Sequence, residues 1–309
     1  MGRSVLKAVL PSAAVVTATV AAGAAVFVMH SASADDHGAT GRSISAGEAA
    51  ATESFWTPQA MAEATPEGER PTKAAKPTGF TTLSAGKTAK AFAGLKTLGV
   101  LFYTTSNASK HFCTASVIDG GHADLLITAA HCLYGGGHYH SHVAFVPKYD
   151  AGKEPYGIWT AKRLTVTSGW KKSSDKDLDF GFIALNTRGG HQIANVVGHN
   201  TLAINTGYHD WVNVDGYPMA KYAKSDHPIY CRNWTKKKFK YTREFDCAGY
   251  YGGTSGSPFL WRMNYSTGIG KVVGVIGGYQ RGGDVDYISY SSIFDKDVWN
   301  LRAAAAKTS

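Results

Sequence analysis

The chain has 309 residues, a formal net charge of +9 and 44% hydrophobic residues, enough for one to three domains with cores of their own. Its four cysteines, Cys113, Cys132, Cys231 and Cys247, show no CxxC or CxxH spacing, which argues against a zinc site. The positive balance bears on anionic partners and says nothing about the fold.

Residues 1–34 read as a signal peptide. Arg3 and Lys7 precede an apolar run from Ala8 to Met29, and Ala32-Ser33-Ala34 supplies a small-residue exit. The run is long enough to cross a bilayer, but that exit and the acidic pair Asp35-Asp36 favour cleavage. Export to an oxidising compartment predicts two disulfides. Four cysteines allow three pairings, and sequence order does not choose among them. Residues 35–90 are poor in large apolar side chains and punctuated by Pro58, Pro66, Pro71 and Pro77. They are expected to form a pro-segment or linker, mostly disordered, with at most a short helix between Gly47 and Met61.

From residue 91 the texture changes. Apolar runs of strand length appear at Leu98–Tyr103, Phe112–Ile118, Leu125–Thr128, Val143–Val146, Gly157–Thr160 and Leu164–Val166. Others follow at Phe180–Leu185, Trp211–Tyr217, Val272–Ile276 and Tyr287–Ser291, separated by Gly, Asn, Asp and Ser clusters. This is an all-β pattern, closed by one helix that Asp295 would cap and that carries Val298, Trp299 and Leu301 at helical spacing. The length suits two packed barrels, residues 91–195 and 196–309.

Three motifs carry chemistry. Thr128-Ala129-Ala130-His131-Cys132 places an imidazole after a buried strand, among small residues that let a substrate approach. Asp179 opens the apolar strand Phe180–Leu185, so it is the acid expected to be partly buried and able to orient a histidine. Asp175 and Asp177 read as solvated turn residues beside Lys171, Lys172 and Lys176. Gly252-Gly253-Thr254-Ser255-Gly256-Ser257-Pro258 offers a serine flanked by glycines. There the Gly253 and Ser255 N–H groups would form an oxyanion hole.

The order His, Asp, Ser is that of chymotrypsin-type enzymes. With these motifs, the stretch from about Leu98 onward resembles the trypsin-like serine peptidases, above all the secreted bacterial branch that includes the glutamyl endopeptidases related to V8 protease. The resemblance implies two antiparallel six-stranded β-barrels, with His131 and Asp179 in the first and Ser255 in the second. It also implies a His131–Asp179–Ser255 triad acting without a cofactor or metal, and disulfides Cys113–Cys132 and Cys231–Cys247. The expected activity is a secreted serine endopeptidase, a monomer acting on proteins or peptides. The rivals are a binding or adhesion protein that keeps the fold without catalysis, and an esterase or amidase using the same triad.

The resemblance departs in places. Thr254 stands where animal members carry an acid that pairs with a new N-terminal amine, so activation by that switch is not expected. The acid of trypsin six residues before the nucleophile is replaced by Gly249, followed by Tyr250 and Tyr251. Ile276 occupies the place of the histidine in V8-like enzymes. Gly277, Gly278, Tyr279 and Tyr250 are the expected substrate-binding residues, the first three by backbone pairing. Asp284 and Asp286 read as exposed turn acids beside Gly282-Gly283. His138, His140 and His142 alternate and would share a face on a strand, a metal pattern weighed against an exposed loop. Lys236, Lys237, Lys238, Lys240 and Arg243 read as a solvated loop near the cleft, with anionic surfaces as a partner class.

Overall fold

The computed structural model describes residues 38–66, 86–219 and 227–307. The signal-peptide reading of residues 1–34 lies outside them. Before the first barrel come strand β1 (Ala39–Ser43), helices α1 (Ala46–Phe55) and α2 (Pro58–Ala62), and the short strands β2 (Thr65–Pro66) and β3 (Lys90–Ala91). The first barrel uses β4 (Leu98–Thr104), β5 (Lys110–Ile118) and β6 (Leu125–Thr128). A hairpin, β7 (Tyr134–Gly135) and β8 (His138–Tyr139), leads into β9 (Ser141–Pro147) and β10 (Trp159–Thr167). Helix α3 (Ser168–Ser173) then precedes β11 (Gly181–Leu185). Helix α4 (Ile193–Val197) and β12 (Thr201–Leu202) lead to the second barrel. Its strands are β13 (Trp211–Gly216), β14 (Ile229–Phe239), β15 (Thr242–Asp246), β16 (Pro258–Asn264), β17 (Ile269–Val275) and β18 (Ile288–Ser292). Helix α5 (Lys296–Ala306) follows.

In the first sheet the order β10-β11-β6-β5-β4-β9 closes on itself, because β9 also pairs with β10. The second sheet runs β17-β16-β13-β14-β15-β18, and its ends meet where the Gly277 N–H donates to the Tyr290 carbonyl at 3.0 Å. The molecule is therefore all-β, each sheet built around six antiparallel strands as expected, with short flanking strands added at the edges. Leu101, Leu126, Val166 and Ile183 fill the first interior; Val212, Val214, Phe245 and Phe259 fill the second. The Asp295 carboxylate caps α5 by accepting the Asp297 N–H at 2.9 Å. Val298 and Leu301 pack inward beside Ile127 and Leu260, whereas Trp299 is exposed.

Two expectations are corrected. Residues 38–66 are folded, not disordered: β1 pairs with β10 from Ala39↔Thr167 to Ser43↔Arg163. Ser45 and Thr57 cap α1 and α2. The composition is poor in large apolar residues, but the few present are well spent, since Trp56 and Met61 are buried against Val100, Phe102 and Phe112. The lysine-rich stretch between Cys231 and Cys247 is a β-hairpin rather than a solvated loop. Lys236 reaches Glu244 at 2.8 Å and Asp246 at 2.5 Å, and Lys238 reaches Glu244 at 3.2 Å. Cross-strand pairing thus tolerates the charge run. Arg243 leaves the basic surface altogether: it is buried, donating to Asp210 at 2.9 Å and to the Gly207 carbonyl at 2.9 Å.

Asp215 on β13 is wholly buried. Asn213 donates to its Oδ2 at 2.5 Å, while Oδ1 has no partner. Burial pushes its pKa from 3.8 up to about 7, against the Asn213 hydrogen bond and the Arg232 charge. Between those two values the folded chain holds a proton that the unfolded chain has released. Stability is therefore lost as pH rises through that window. Asp215→Asn is expected to raise folding stability by about 2–4 kcal/mol at pH 8 and to change it little at pH 4. Denaturant titrations of both proteins at the two pH values check this; no gain at pH 8 contradicts it.

Candidate active site

The first barrel carries His131 and Asp179. His131 sits in the 3-10 turn Ala130–Cys132 directly after β6, and the Cys113–Cys132 disulfide ties that turn to β5. His140, buried and stacked on Tyr103, lies with Nε2 3.2 Å from the His131 carbonyl oxygen. Asp179 ends the 3-10 turn Lys176–Leu178 and is 1% exposed. Its Oδ1 accepts the His131 N–H at 2.9 Å. Its Oδ2 lies 2.8 Å from His131 Nδ1 and accepts the Gly278 N–H at 2.7 Å.

Burial by itself would raise the Asp179 pKa. The His131 ring, with its hydrogen bond, and the backbone donors of Gly278 and His131 outweigh that and hold the carboxyl below its usual range. An ionised carboxylate offers only lone pairs, so Nδ1 carries the imidazole hydrogen and Nε2 keeps its lone pair. Nε2 is buried and makes no hydrogen bond.

The second barrel delivers the serine. Gly253 has φ +96°, and a Cβ there would lie 2.2 Å from the Phe112 ring and 2.6 Å from the Tyr217 carbonyl oxygen. Gly256 has φ +82°, and a Cβ there would meet Thr128 Oγ1 at 2.1 Å. Only glycines let this loop lie so close to the strand that precedes His131. The Ser255 carbonyl accepts the Thr114 N–H at 2.8 Å, Thr114 Oγ1 donates to the Gly253 carbonyl at 3.0 Å, and the Gly256 N–H donates to Ile276 at 2.7 Å. Among the described residues, the Gly253 and Ser255 N–H groups have no acceptor. Two unengaged backbone donors on a loop whose main chain is held by both barrels suit a developing oxyanion.

These contacts connect all three motifs to one junction between the barrels. A family model for trypsin matches residues 90–294. The chain belongs to the trypsin family. It is thus a serine endopeptidase, a hydrolase acting on proteins or peptides. Among solved structures it is similar to the protease Anisep from Arthrobacter nicotinovorans, at 26% identity and TM-score 0.64, over 71% of this chain and 99% of that one. It is also similar to the thermostable serine protease AL20 from an extremophilic microorganism, at 24% identity and TM-score 0.62, over 69% and 98% of the two chains. A Glu endopeptidase at 18% identity and TM-score 0.56, over 71% and 97%, shares the fold. No curated protein sequence matches the chain.

Both disulfides, Cys113–Cys132 and Cys231–Cys247, are formed. The expected substrate-binding residues divide. Tyr250 is fully buried in the second core, its hydroxyl donating to the Val214 carbonyl at 2.7 Å, so its side chain serves packing. Gly278 gives its N–H to Asp179 and its carbonyl to the Arg281 N–H at 2.9 Å, which makes it a support of the triad acid. Gly277 lies against the triad acid, where a Cβ would meet the Asp179 carbonyl oxygen at 2.9 Å. Tyr279 lines a cavity of about 380 Å³ with Asp175, Asp177, Phe239 and Tyr241.

The three histidines do not converge. His138 is exposed, His140 faces the His131 carbonyl, and His142 Nδ1 lies 3.2 Å from Thr104 Oγ1. Asp284 is exposed as expected, but Asp286 is a correction: it is 6% exposed, and its Oδ2 accepts the Gly249 N–H at 3.3 Å. A buried carboxylate in a Gly-rich turn leaves no mark in the sequence that separates it from a solvated one.

Proposed function

We propose that the protein cleaves polypeptides through an acyl-enzyme on Ser255. His131 takes the hydroxyl proton at Nε2 and returns it to the departing amine; water then repeats the cycle. Asp179 holds the ring and stabilises the imidazolium, and the Gly253 and Ser255 N–H groups bind the oxyanion. The observation that carries this reading is the three-donor clasp on Asp179, which sets the tautomer a general base requires. The reaction calls for no cofactor. A fluorophosphonate probe is expected to label the native protein, and unlabelled native protein would remove the activated serine. Digestion of casein well above hydrolysis of a simple ester separates the endopeptidase from an esterase.

The residue before the scissile bond is proposed to be basic. In trypsin an acid six residues ahead of the nucleophile selects Lys or Arg. Gly249 occupies that place here, yet its own N–H binds the Asp286 carboxylate, and the Tyr250 N–H binds the Asp286 carbonyl at 3.0 Å. The negative charge therefore returns from the turn that precedes β18. Asp286→Asn is expected to lower kcat/KM for cleavage after Arg on the order of a hundredfold, with cleavage after Leu nearly unchanged. Fragment sequencing of a digested proteome reads the preference, and an unaltered Arg-to-Leu ratio rejects it.

Secretion is proposed on the layout of residues 1–34 and on two disulfides that favour an oxidising compartment. Among the described residues no helix is long and apolar enough to cross a membrane. The protein is proposed to act as a monomer. Association with anionic surfaces rests on Lys237 and Lys240, since Lys236 and Lys238 are paired with acids.

A further inference from the structure

Ser255 lies between two strands. Its carbonyl is bound by Thr114 of β5, and the next N–H is bound by Ile276 just beyond β17. An extended polypeptide crossing Ser255 therefore has one half toward Gly277 and the other along β5. With the acyl half beside Gly277, the residues beyond the scissile bond fall along β5 ahead of Thr114, at His111 and Phe112. There β5 pairs with β4 on one edge, Tyr103↔His111 and Phe102↔Phe112. Strand β6 pairs only with Ser116–Ile118 and does not reach the other edge.

That other edge is occupied. Strand β2 pairs with it in parallel, Thr65↔His111 and Pro66↔Phe112, and His111 Nδ1 lies 3.0 Å from the Thr65 carbonyl oxygen. Pro66 also presses on the nucleophile loop, where a Cβ on Gly252 would lie 2.8 Å from the Pro66 Cβ. The anchors of the segment are firm. Trp56 is 1% exposed, and its Nε1 donates to the His142 carbonyl at 2.6 Å. Glu63 meets Lys110 at 2.5 Å, immediately before His111. His131 and Ser255 are only 2% and 4% exposed.

We propose that Thr65–Pro66 blocks the leaving-group half of the cleft, with residues 39–63 as the clamp that holds it on β5. The proposal rests on Ser255 being the nucleophile. It gives the segment a defined action: it competes with the part of a polypeptide that follows the scissile bond, and leaves the acyl half and the triad in place.

The test compares two substrates in the full-length protein, with the segment confirmed as attached by mass spectrometry. One is a peptide anilide, which has no residue beyond the scissile bond. The other is a quenched fluorescent peptide with four residues on that side. Trp56→Ala loosens the clamp, and Glu63→Lys sets two positive charges against each other at a half-exposed pair. The expected result is a rise in kcat/KM for the long peptide of about tenfold or more in Trp56→Ala and about threefold in Glu63→Lys, with the anilide within twofold. Added synthetic peptide 38–66 is expected to reverse the gain. No gain on the long peptide, or an equal gain on both substrates, overturns the proposal. If Trp56→Ala does not fold, Glu63→Lys decides by the same ratio. Fluorophosphonate labelling is read in parallel, because its absence would fault the nucleophile assignment instead.

Discussion

Ser255→Ala is expected to lower kcat for peptide hydrolysis by about 10⁴- to 10⁶-fold. The variant loses the one oxygen that can form the acyl-enzyme, so the remaining route is attack by water on a carbonyl still polarised at Gly253. The fold should survive, because the loop is held by main-chain bonds to Thr114 and Ile276 and by two tightly seated glycines. Its melting temperature should match that of the parent. Since the three residues act as a unit, adding His131→Ala to Ser255→Ala should cost little more. Turnover in purified Ser255→Ala within tenfold of the parent would remove Ser255 from the mechanism.

Asp179→Asn is expected to cost about 10³- to 10⁴-fold in kcat. The carboxylate faces three hydrogens: His131 N–H, His131 Nδ1–H and Gly278 N–H. A carboxamide can accept with only one of its two termini. If its NH₂ faces Nδ1, the imidazole must adopt the other tautomer, Nε2 becomes a donor, and the Gly278 N–H meets another donor. If its NH₂ faces the His131 N–H, the turn that carries the ring is pushed away. Neither orientation satisfies the site. The measurement is kcat across pH with a fold check by circular dichroism. A loss below tenfold would show that the ring needs no such clasp.

Much of this was legible in the amino-acid order. The strands of the first barrel are buried on both faces, so Leu98–Thr104 and Leu125–Thr128 read as nearly unbroken apolar runs. The His, Asp and Ser motifs each lie where a strand gives way to a turn, and glycine or alanine around them marks close approach. The illegible parts share a different cause. Strand β14 alternates burial only weakly, and its lysines become tolerable through partners on β15 ten or fewer residues away. Pairing of that kind is invisible until the hairpin exists. Arg243 looked like surface charge because Asp210, its partner, lies 33 positions back. Residues 38–66 looked unstructured because most of their support is borrowed: β1 leans on β10, and Trp56 fills a pocket built by Phe102 and Tyr149. A window moved along the chain cannot register surface contributed by strands far downstream.

Strand β1 has a consequence for any shortened form. Strand β9 covers β10 only at Trp159 and Thr160, and from Arg163 to Thr167 that rim is sealed by Ala39–Ser43. A molecule trimmed past Ser43 bares a run of unsatisfied main-chain amides and carbonyls along β10. Such an edge is a template for self-association. Its colloidal behaviour would then depend on concentration, and the cost of shedding the amino-terminal arm would appear in solubility as much as in catalysis.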